Sequence, residues 1–198
     1  MPTISYTIMA HPKREKWAEE LGVQLDAEVV YDRKNNIWDT CRRSWLANDF
    51  SKEYSAVIQD DAILCADFKQ KARQMIAGAD GDHVYSFYSA DYKPLVNQLQ
   101  EAEKQGKDHT TTQFIYNEIA LCMKSEHVEE MVHFCDEFEP MLDHQINNWA
   151  LQMPLRIYHP VESLVEHRDE ESLYRQNTDR SFKRSGERVA YQFKGTQT

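Results

Sequence analysis

The feature that most constrains the fold is a short apolar run that ends in two adjacent acidic residues. Residues 55–58 read Ser-Ala-Val-Ile and are followed by Gln59, Asp60 and Asp61. Such a run predicts a buried strand, and open α/β sheets bind ligands at the carboxyl ends of their strands. Because neighbouring carboxylates repel each other when they lose water, we expect a positive group beside them. A Mg²⁺ or Mn²⁺ ion shared with nucleotide phosphates meets this need. The alternative is that the two Asp residues open a surface turn.

Length and charge define the setting for this strand. The chain has 198 residues, which is typical of one domain with a sizeable core. Its 33 acidic and 23 basic residues give a formal charge of −10. This charge argues against a protein that binds nucleic acid or anionic membrane over its whole surface. From Tyr174 onward, however, six Lys or Arg residues face two Asp or Glu residues. We therefore predict a domain at 1–173 and a basic tail at 174–198.

The cysteines and the hydropathy indicate an intracellular protein. Cys41, Cys65, Cys122 and Cys135 are scattered through predicted elements, a distribution typical of reduced core thiols rather than of a disulfide framework or a zinc site. No apolar run approaches membrane-spanning length, and no signal-peptide core follows Met1. We expect a soluble cytoplasmic protein without membrane contact.

Short strands alternate with amphipathic helices in the first half of the chain. Strands are predicted at 4–9, 27–31, just before the Asp pair, and at 84–88, and helices at 15–22, 38–49 and 68–76. We expect Gly22 to end the first helix. This alternation favours an α/β fold with a mostly parallel central sheet flanked by helices.

The second half is less regular. Residues 104–109 predict a loop, and the β-branched and aromatic residues of 110–123 predict a strand or a strand pair. Ser125 is placed to cap a helix, another helix is predicted after Pro140, and a short strand at 156–158 is stopped by Pro160.

Three motifs in this order resemble the small GT-A nucleotide-sugar glycosyltransferases of bacteria and phages. They are the Gln-Asp-Asp sequence at 59–61, Asp143 on a helix, and the segments Ser-Leu-Val-Glu-His (163–167) and Ser-Leu (172–173) after Pro160. The resemblance spans most of the chain. It implies a single Rossmann-like GT-A domain whose first half binds the nucleotide and whose second half forms the acceptor side.

The resemblance also implies roles for individual residues. Asp61 would contact a Mn²⁺ or Mg²⁺ ion, Asp60 would approach the ribose, and His167 would be the second protein ligand to the metal. The sequence departs from the family at Gln59, where an acidic residue is common, so a role for this position near the metal is not implied.

Other candidates follow from their positions. His11 and Arg14 leave the first strand and can approach the nucleotide, although a His there is also typical of a structural role and Arg14 can simply solubilise a helix. Asp32 ends the second strand, where it can accept from a uracil N–H or a ribose hydroxyl or can merely form a turn. Asp143 is the candidate catalytic base, with Glu137 and Glu139 as nearby alternatives for that role, and Asp143 can instead complement a helix dipole.

Together these features predict a metal-dependent transferase that moves a sugar from a nucleotide diphosphate sugar, expected to be a UDP-sugar, to a hydroxyl. Resemblance to phage enzymes favours 5-hydroxymethyl pyrimidine in DNA as the acceptor, in the host cytoplasm, with the tail cations Arg175, Arg180, Lys183, Arg184 and Arg188 meeting phosphates. Those cations can instead fold over the donor diphosphate or stay solvated. The alternative functions are a transferase acting on a bacterial surface glycan, a metal-dependent phosphohydrolase or nuclease, and a nucleotide-binding module without activity.

Overall fold

A computed structural model describes residues 1–137, 142–168 and 189–195, with only the backbone at 142–144. These residues form an α/β structure with helices on both faces of a central sheet. The described strands are β1 (Ile4–Ala10), β2 (Glu28–Tyr31), β3 (Tyr54–Gln59), β4 (Ala62–Leu64), β5 (His83–Ser86), β6 (His109–Thr112), β7 (Ala120–Lys124), β8 (Arg156–Pro160) and β9 (Val165–His167). The described helices are α1 (Glu15–Leu25), α2 (Ile37–Leu46), α3 (Phe68–Gly78), α4 (Lys93–Lys104), α5 (Val128–Asp136) and α6 (Leu142–Gln152).

The central sheet is mixed. In the described part of the chain its strand order is β2-β1-β3-β7-β5-β8-β6, and β4 and β9 form a separate antiparallel pair. Strands β2, β1 and β3 run parallel, as do β5 and β8, whereas β7 is antiparallel to both of its neighbours and β6 is antiparallel to β8. Five of these seven strands therefore share one direction, which agrees with the expected predominance of parallel strands.

The two faces of the sheet carry separate cores because successive strand residues point to opposite sides. Ile8 and Ile58 pack with α1 and α3 on one face, and Met9 and Val57 pack with α2, α5 and α6 on the other. All four cysteines are buried free thiols, as expected.

Several predicted boundaries need correction. Helix α1 passes through Gly22 and ends at Leu25, and Asp26 caps it in the left-handed conformation at φ 54°. The segment 110–123 gives β6 and β7, which do not pair with each other. Ser125 does not cap α5: its hydroxyl lies 2.9 Å from that of Ser55, and a 3-10 turn precedes the helix.

Helix α4 was not predicted. Its buried residues Leu95, Leu99 and Ala102 follow the helical period, and Pro94 lies in its first turn. The helical spacing of these three residues is present in the sequence, but the polar residues between them make the pattern hard to recognise.

Part of the predicted tail belongs to the folded body. Ala190 pairs with Ala90, and Phe193 pairs with Ser163. The remaining tail residues lie outside the described part of the chain. Among the described residues, no helix has both the length and the apolar character needed to cross a membrane.

Candidate functional site

Three of the candidate residues meet at one edge of the sheet. His11, Asp32 and Asp60 each follow the end of a parallel strand, namely β1, β2 and β3. The Asp32 amide donates to the Ala10 carbonyl over 2.7 Å, so the ladder continues to this edge. The acidic pair therefore lies where the sequence predicts, at the carboxyl ends of parallel strands.

Arg14 is the positive group beside the acidic pair. Its Nη1 lies 3.0 Å from Asp60 Oδ1 and 2.5 Å from Asp61 Oδ2. Asp60 also accepts a 2.7 Å hydrogen bond at Oδ2 from the His11 amide. Since Asp60 and Asp61 are both about 5 % exposed, the shared guanidinium offsets a repulsion that water screens poorly.

His167 reaches the same place through the small β4–β9 sheet. Strand β4 starts directly after the acidic pair, and Ala62 pairs with His167. The Arg168 amide donates to the Asp61 carbonyl over 2.8 Å and extends this pairing by one residue. The His167 Nε2 lies 3.4 Å from Asp61 Oδ2, so the structure brings together the two residues predicted to bind metal.

The pKa values of the two neighbouring carboxyl groups, Asp60 and Asp61, are shifted in opposite directions. Burial raises the pKa of Asp60, and the bonds from His11 and Arg14 do not fully offset it. Burial also acts to raise the pKa of Asp61, but His167 and Arg14 outweigh it and lower that pKa below its usual range. The pKa of Arg14 is raised because the attraction of both carboxylates exceeds the effect of its burial. Asp61 therefore remains a carboxylate, which is the form that binds metal.

Several buried polar atoms at the site have no hydrogen-bond partner among the described residues. They are Asp61 Oδ1, His167 Nδ1 and Arg168 Nε, and His167 Nε2 has only its 3.4 Å contact with Asp61 Oδ2. The side chains of Asp61 and His167 are only 6 % and 1 % exposed. Burying such atoms without partners costs free energy, and a bound cation or anion would remove that cost.

Asp32 and His11 have local structural roles as well. Asp32 Oδ1 accepts from the amides of Lys34 and Asn36 and from the hydroxyl of Thr40, so it orders the turn that leads into α2. His11 Nδ1 accepts from the Lys13 amide at the start of a 3-10 turn. These contacts fix the loops on which a nucleotide could lie.

The remaining predicted site residues fall outside the described side chains. Asp143 belongs to α6, but only its backbone is described. Arg175, Arg180, Lys183, Arg184 and Arg188 lie outside the described residues.

Sequence reasoning did not identify the pairing of Arg168 with Trp17. The Arg168 guanidinium carbon lies 4.8 Å from the centre of the Trp17 ring, and that of Arg14 lies 5.9 Å from it. Both cations therefore approach one aromatic side chain beside the acidic pair. The only sequence signal was the position of Arg168 next to His167.

A second cluster of metal-binding residue types lies at the opposite, amino-terminal edge of the sheet. Ligand atoms of Asp82, Glu126 and His127 all lie within 4.8 Å of one another and could hold a metal ion. Lys124 already supplies a cation there, with Nζ 2.8 Å from Asp82 and 3.6 Å from Glu126. Although burial opposes it, Lys124 and His127 lower the pKa of Asp82. The cluster is thus an ion-pair network in this state, and sequence spacing gave no sign of it because β5 and β7 bring distant residues together.

A surface cleft lies beside this second cluster and away from the acidic pair. It has a volume of about 580 Å³ and is lined by residues that include Tyr54, Lys124 and Glu126. We place the candidate site at Asp61 and His167 because buried unpartnered atoms and charged groups converge there, whereas the cleft is an open surface depression.

Comparisons with known proteins leave the family of this chain unassigned. No protein-family model matches it, and no curated protein matches it. Among solved structures, the crystal structure of A197 from STIV, a virus protein, aligns over 86 % of this chain and 87 % of that chain, with a TM-score of 0.47 and 14 % sequence identity. A similarity at this level assigns neither a family nor an activity.

Proposed function

We propose that this protein is a metal-dependent glycosyltransferase that moves a sugar from a nucleotide diphosphate sugar, a UDP-sugar, to a hydroxyl group. The observation that carries the proposal is the meeting of Asp61 and His167, from opposite halves of the chain, with buried unpartnered ligand atoms. Burying a carboxylate oxygen and a ring nitrogen without hydrogen-bond partners costs free energy, which a bound cation would offset.

The residues present fit a divalent metal ion. Asp61 Oδ1 and a ring nitrogen of His167 offer one oxygen and one nitrogen ligand, a mixed set that suits Mn²⁺ better than Mg²⁺. When bound, such an ion neutralises charge that builds on the departing nucleoside diphosphate. Asp61 and His167 would hold it, and Arg14 would keep Asp61 and Asp60 close together.

The other site residues would orient the donor and accept a proton. Asp60, which follows β3, would approach the ribose of the donor, and Asp32 orders the adjacent turn. We assign the role of base to Asp143 on sequence grounds, since transfer to a hydroxyl needs a group that takes its proton. The proposed acceptor is 5-hydroxymethyl pyrimidine in DNA, also on sequence grounds, through the basic residues of the tail.

The first test is binding of UDP. At a UDP concentration about 100 times its Kd, with Mn²⁺ present, the wild type should gain about 2.7 kcal/mol of stability, or roughly 5–10 °C in melting temperature. Asp61→Asn and His167→Ala should each lose the Mn²⁺-dependent part of this shift. Asp67→Asn, a change at an exposed carboxylate, is the matched control and should keep it. A normal shift in either site variant would contradict the assigned metal ligands.

The second test is transfer. A panel of nucleotide sugars is offered with DNA that carries 5-hydroxymethyl pyrimidine and with ordinary DNA, and labelled product is measured at rising salt. Product should form only on the hydroxymethylated DNA and should fall steeply with salt, because phosphate contacts release counterions. Donor breakdown without any acceptor would indicate a phosphohydrolase, transfer to a simple sugar would indicate a glycan-building enzyme, and UDP binding without turnover would indicate a binding module.

A further inference from the structure

We infer that Arg168, held against Trp17, binds the diphosphate of the donor. The inference rests on the proposed function and names a residue that the sequence motifs did not assign. A backbone hydrogen bond to Asp61 and a side-chain contact with Trp17 place Arg168 at the site.

The backbone fixes the position of Arg168. It follows His167, and its amide donates to the Asp61 carbonyl over 2.8 Å. Its side chain therefore starts next to His167 in the chain and directly opposite Asp61 across the pairing of β4 with β9.

Trp17 fixes the direction of the side chain. The guanidinium carbon lies 4.8 Å from the ring centre, within the range of a cation–π contact. The Arg14 guanidinium, which bonds both Asp60 and Asp61, approaches the same ring at 5.9 Å. Trp17 thus contacts two guanidinium groups, one of which bonds the acidic pair.

Arg168 differs from Arg14 in its partners. Arg14 is committed to two carboxylates, whereas no carboxylate within the described residues forms an ion pair with Arg168. Its Nε is buried and lacks a hydrogen-bond partner in the same part of the chain. A guanidinium held by an aromatic ring, with a buried donor still unused, is suited to a phosphate oxygen.

The charges at the site agree with this role. Asp60 and Asp61 balance Arg14 and Arg168, so a divalent cation would leave an excess of two positive charges. The diphosphate of a nucleotide sugar carries two negative charges. The positive charge that Arg14, Arg168 and the metal bring to the acidic pair therefore matches an anionic ligand of this class.

The experiment compares the binding of UDP, uridine and inorganic pyrophosphate by calorimetry in the presence of Mn²⁺. Arg168→Gln should lower the affinity for UDP and for pyrophosphate by about tenfold or more, as expected for a lost charge-assisted hydrogen bond. The affinity for uridine should stay unchanged. Arg168→Lys should restore only part of the loss, because an ammonium lacks the planar fork. Arg156→Gln is the matched control, since Arg156 starts β8 at the opposite edge of the sheet and its loss should change none of the three affinities.

The outcomes separate this inference from the proposed function. If the wild type binds UDP and Arg168→Gln binds it equally well, the inference is wrong and the proposed function stands. If the wild type binds pyrophosphate in an Arg168-dependent way but does not prefer UDP, the anion site stands and the assignment of the donor fails. Absence of binding to both UDP and pyrophosphate would overturn both.

Discussion

At the scale of single residues, neighbouring side chains of one type acquire different properties. Asp60 and Asp61 are adjacent in sequence, yet the pKa of the first is raised and that of the second is lowered. The difference arises because Asp61 faces His167 as well as Arg14. Neighbouring titratable groups whose pKa values are shifted apart are common at sites that need one of the two groups charged.

The buried His159 gives a prediction at this scale. Burial lowers the pKa of His159 to about 4, and its Nε2 donates to the Phe114 carbonyl over 3.1 Å. In the unfolded chain the pKa is about 6.5, so as the pH falls below that value the unfolded state takes up a proton that the folded state does not. The wild type should therefore lose stability between pH 6.5 and 4, by about 2 kcal/mol at pH 5 relative to pH 7.

Urea unfolding at pH 7 and pH 5 measures this loss. His159→Gln, which keeps a donor for the Phe114 carbonyl, should lose about 2 kcal/mol less than the wild type over that interval. His133→Gln, at an exposed position, should behave like the wild type. Equal losses in wild type and His159→Gln would show that His159 does not stay neutral in the folded state.

At the scale of elements, the contact between α1 and β2 depends on Gly22. A Cβ atom at Gly22 would lie 2.9 Å from Val29 Cγ2 and 3.3 Å from the Ala27 carbonyl oxygen. Gly22 lies inside α1 and does not end it. The absence of a side chain at Gly22 lets the helix approach Val29 and Ala27 closely. The left-handed residue that caps α1 is Asp26.

We predict that Gly22→Ala destabilises the protein. Better helix propensity contributes about 1 kcal/mol, but overpacking against a β-branched side chain costs about 1–3 kcal/mol, so a net loss of roughly 1 kcal/mol is expected. Chemical denaturation measures it, with Gly78→Ala as the matched control at a helical glycine that has nothing within 4 Å of the added carbon. A gain in stability for both variants would mean that α1 and β2 separate without cost.

At the scale of the whole molecule, the segment 189–195 supports the strand that carries His167. Glu166 Oε1 accepts from the amides of both His167 and Ala190, each over 2.8 Å. The Gln192 carbonyl accepts from the Ser163 amide over 2.7 Å. The end of the described chain is thus connected to the candidate site through β9.

Removing residues 189–198 should therefore affect both stability and binding. Loss of several backbone hydrogen bonds is expected to cost roughly 3 kcal/mol, and the Mn²⁺-dependent shift by UDP should shrink because β9 is less ordered. Thermal melts with and without UDP and Mn²⁺ measure both effects. Removal of 196–198 alone is the control that separates the effect of 189–195 from that of the last three residues. A truncated chain with the melting temperature and UDP response of the wild type would show that β9 is held by other contacts.

Local pattern in the sequence determined most of the elements. The runs that form β1, β3, α2 and α3 are recognisable from their periodicity, and the acidic pair was placed correctly at the end of a parallel strand. These features depend on residues close together in the chain, because side-chain alternation and helical period are set by the backbone itself. The same local reading failed at α4, where three buried residues are spread among polar ones, and at Gly22, whose role lies in a contact with β2.

The tertiary structure alone decided which distant groups meet. The insertion of β7 between β3 and β5 forms the cluster of Asp82 and His127, and the pairing of β4 with β9 sets Arg168 beside Asp61. Likewise, only the folded chain shows that Arg14 bridges both aspartates. Such contacts depend on strand order and on the closure of long loops, which no local window of sequence encodes.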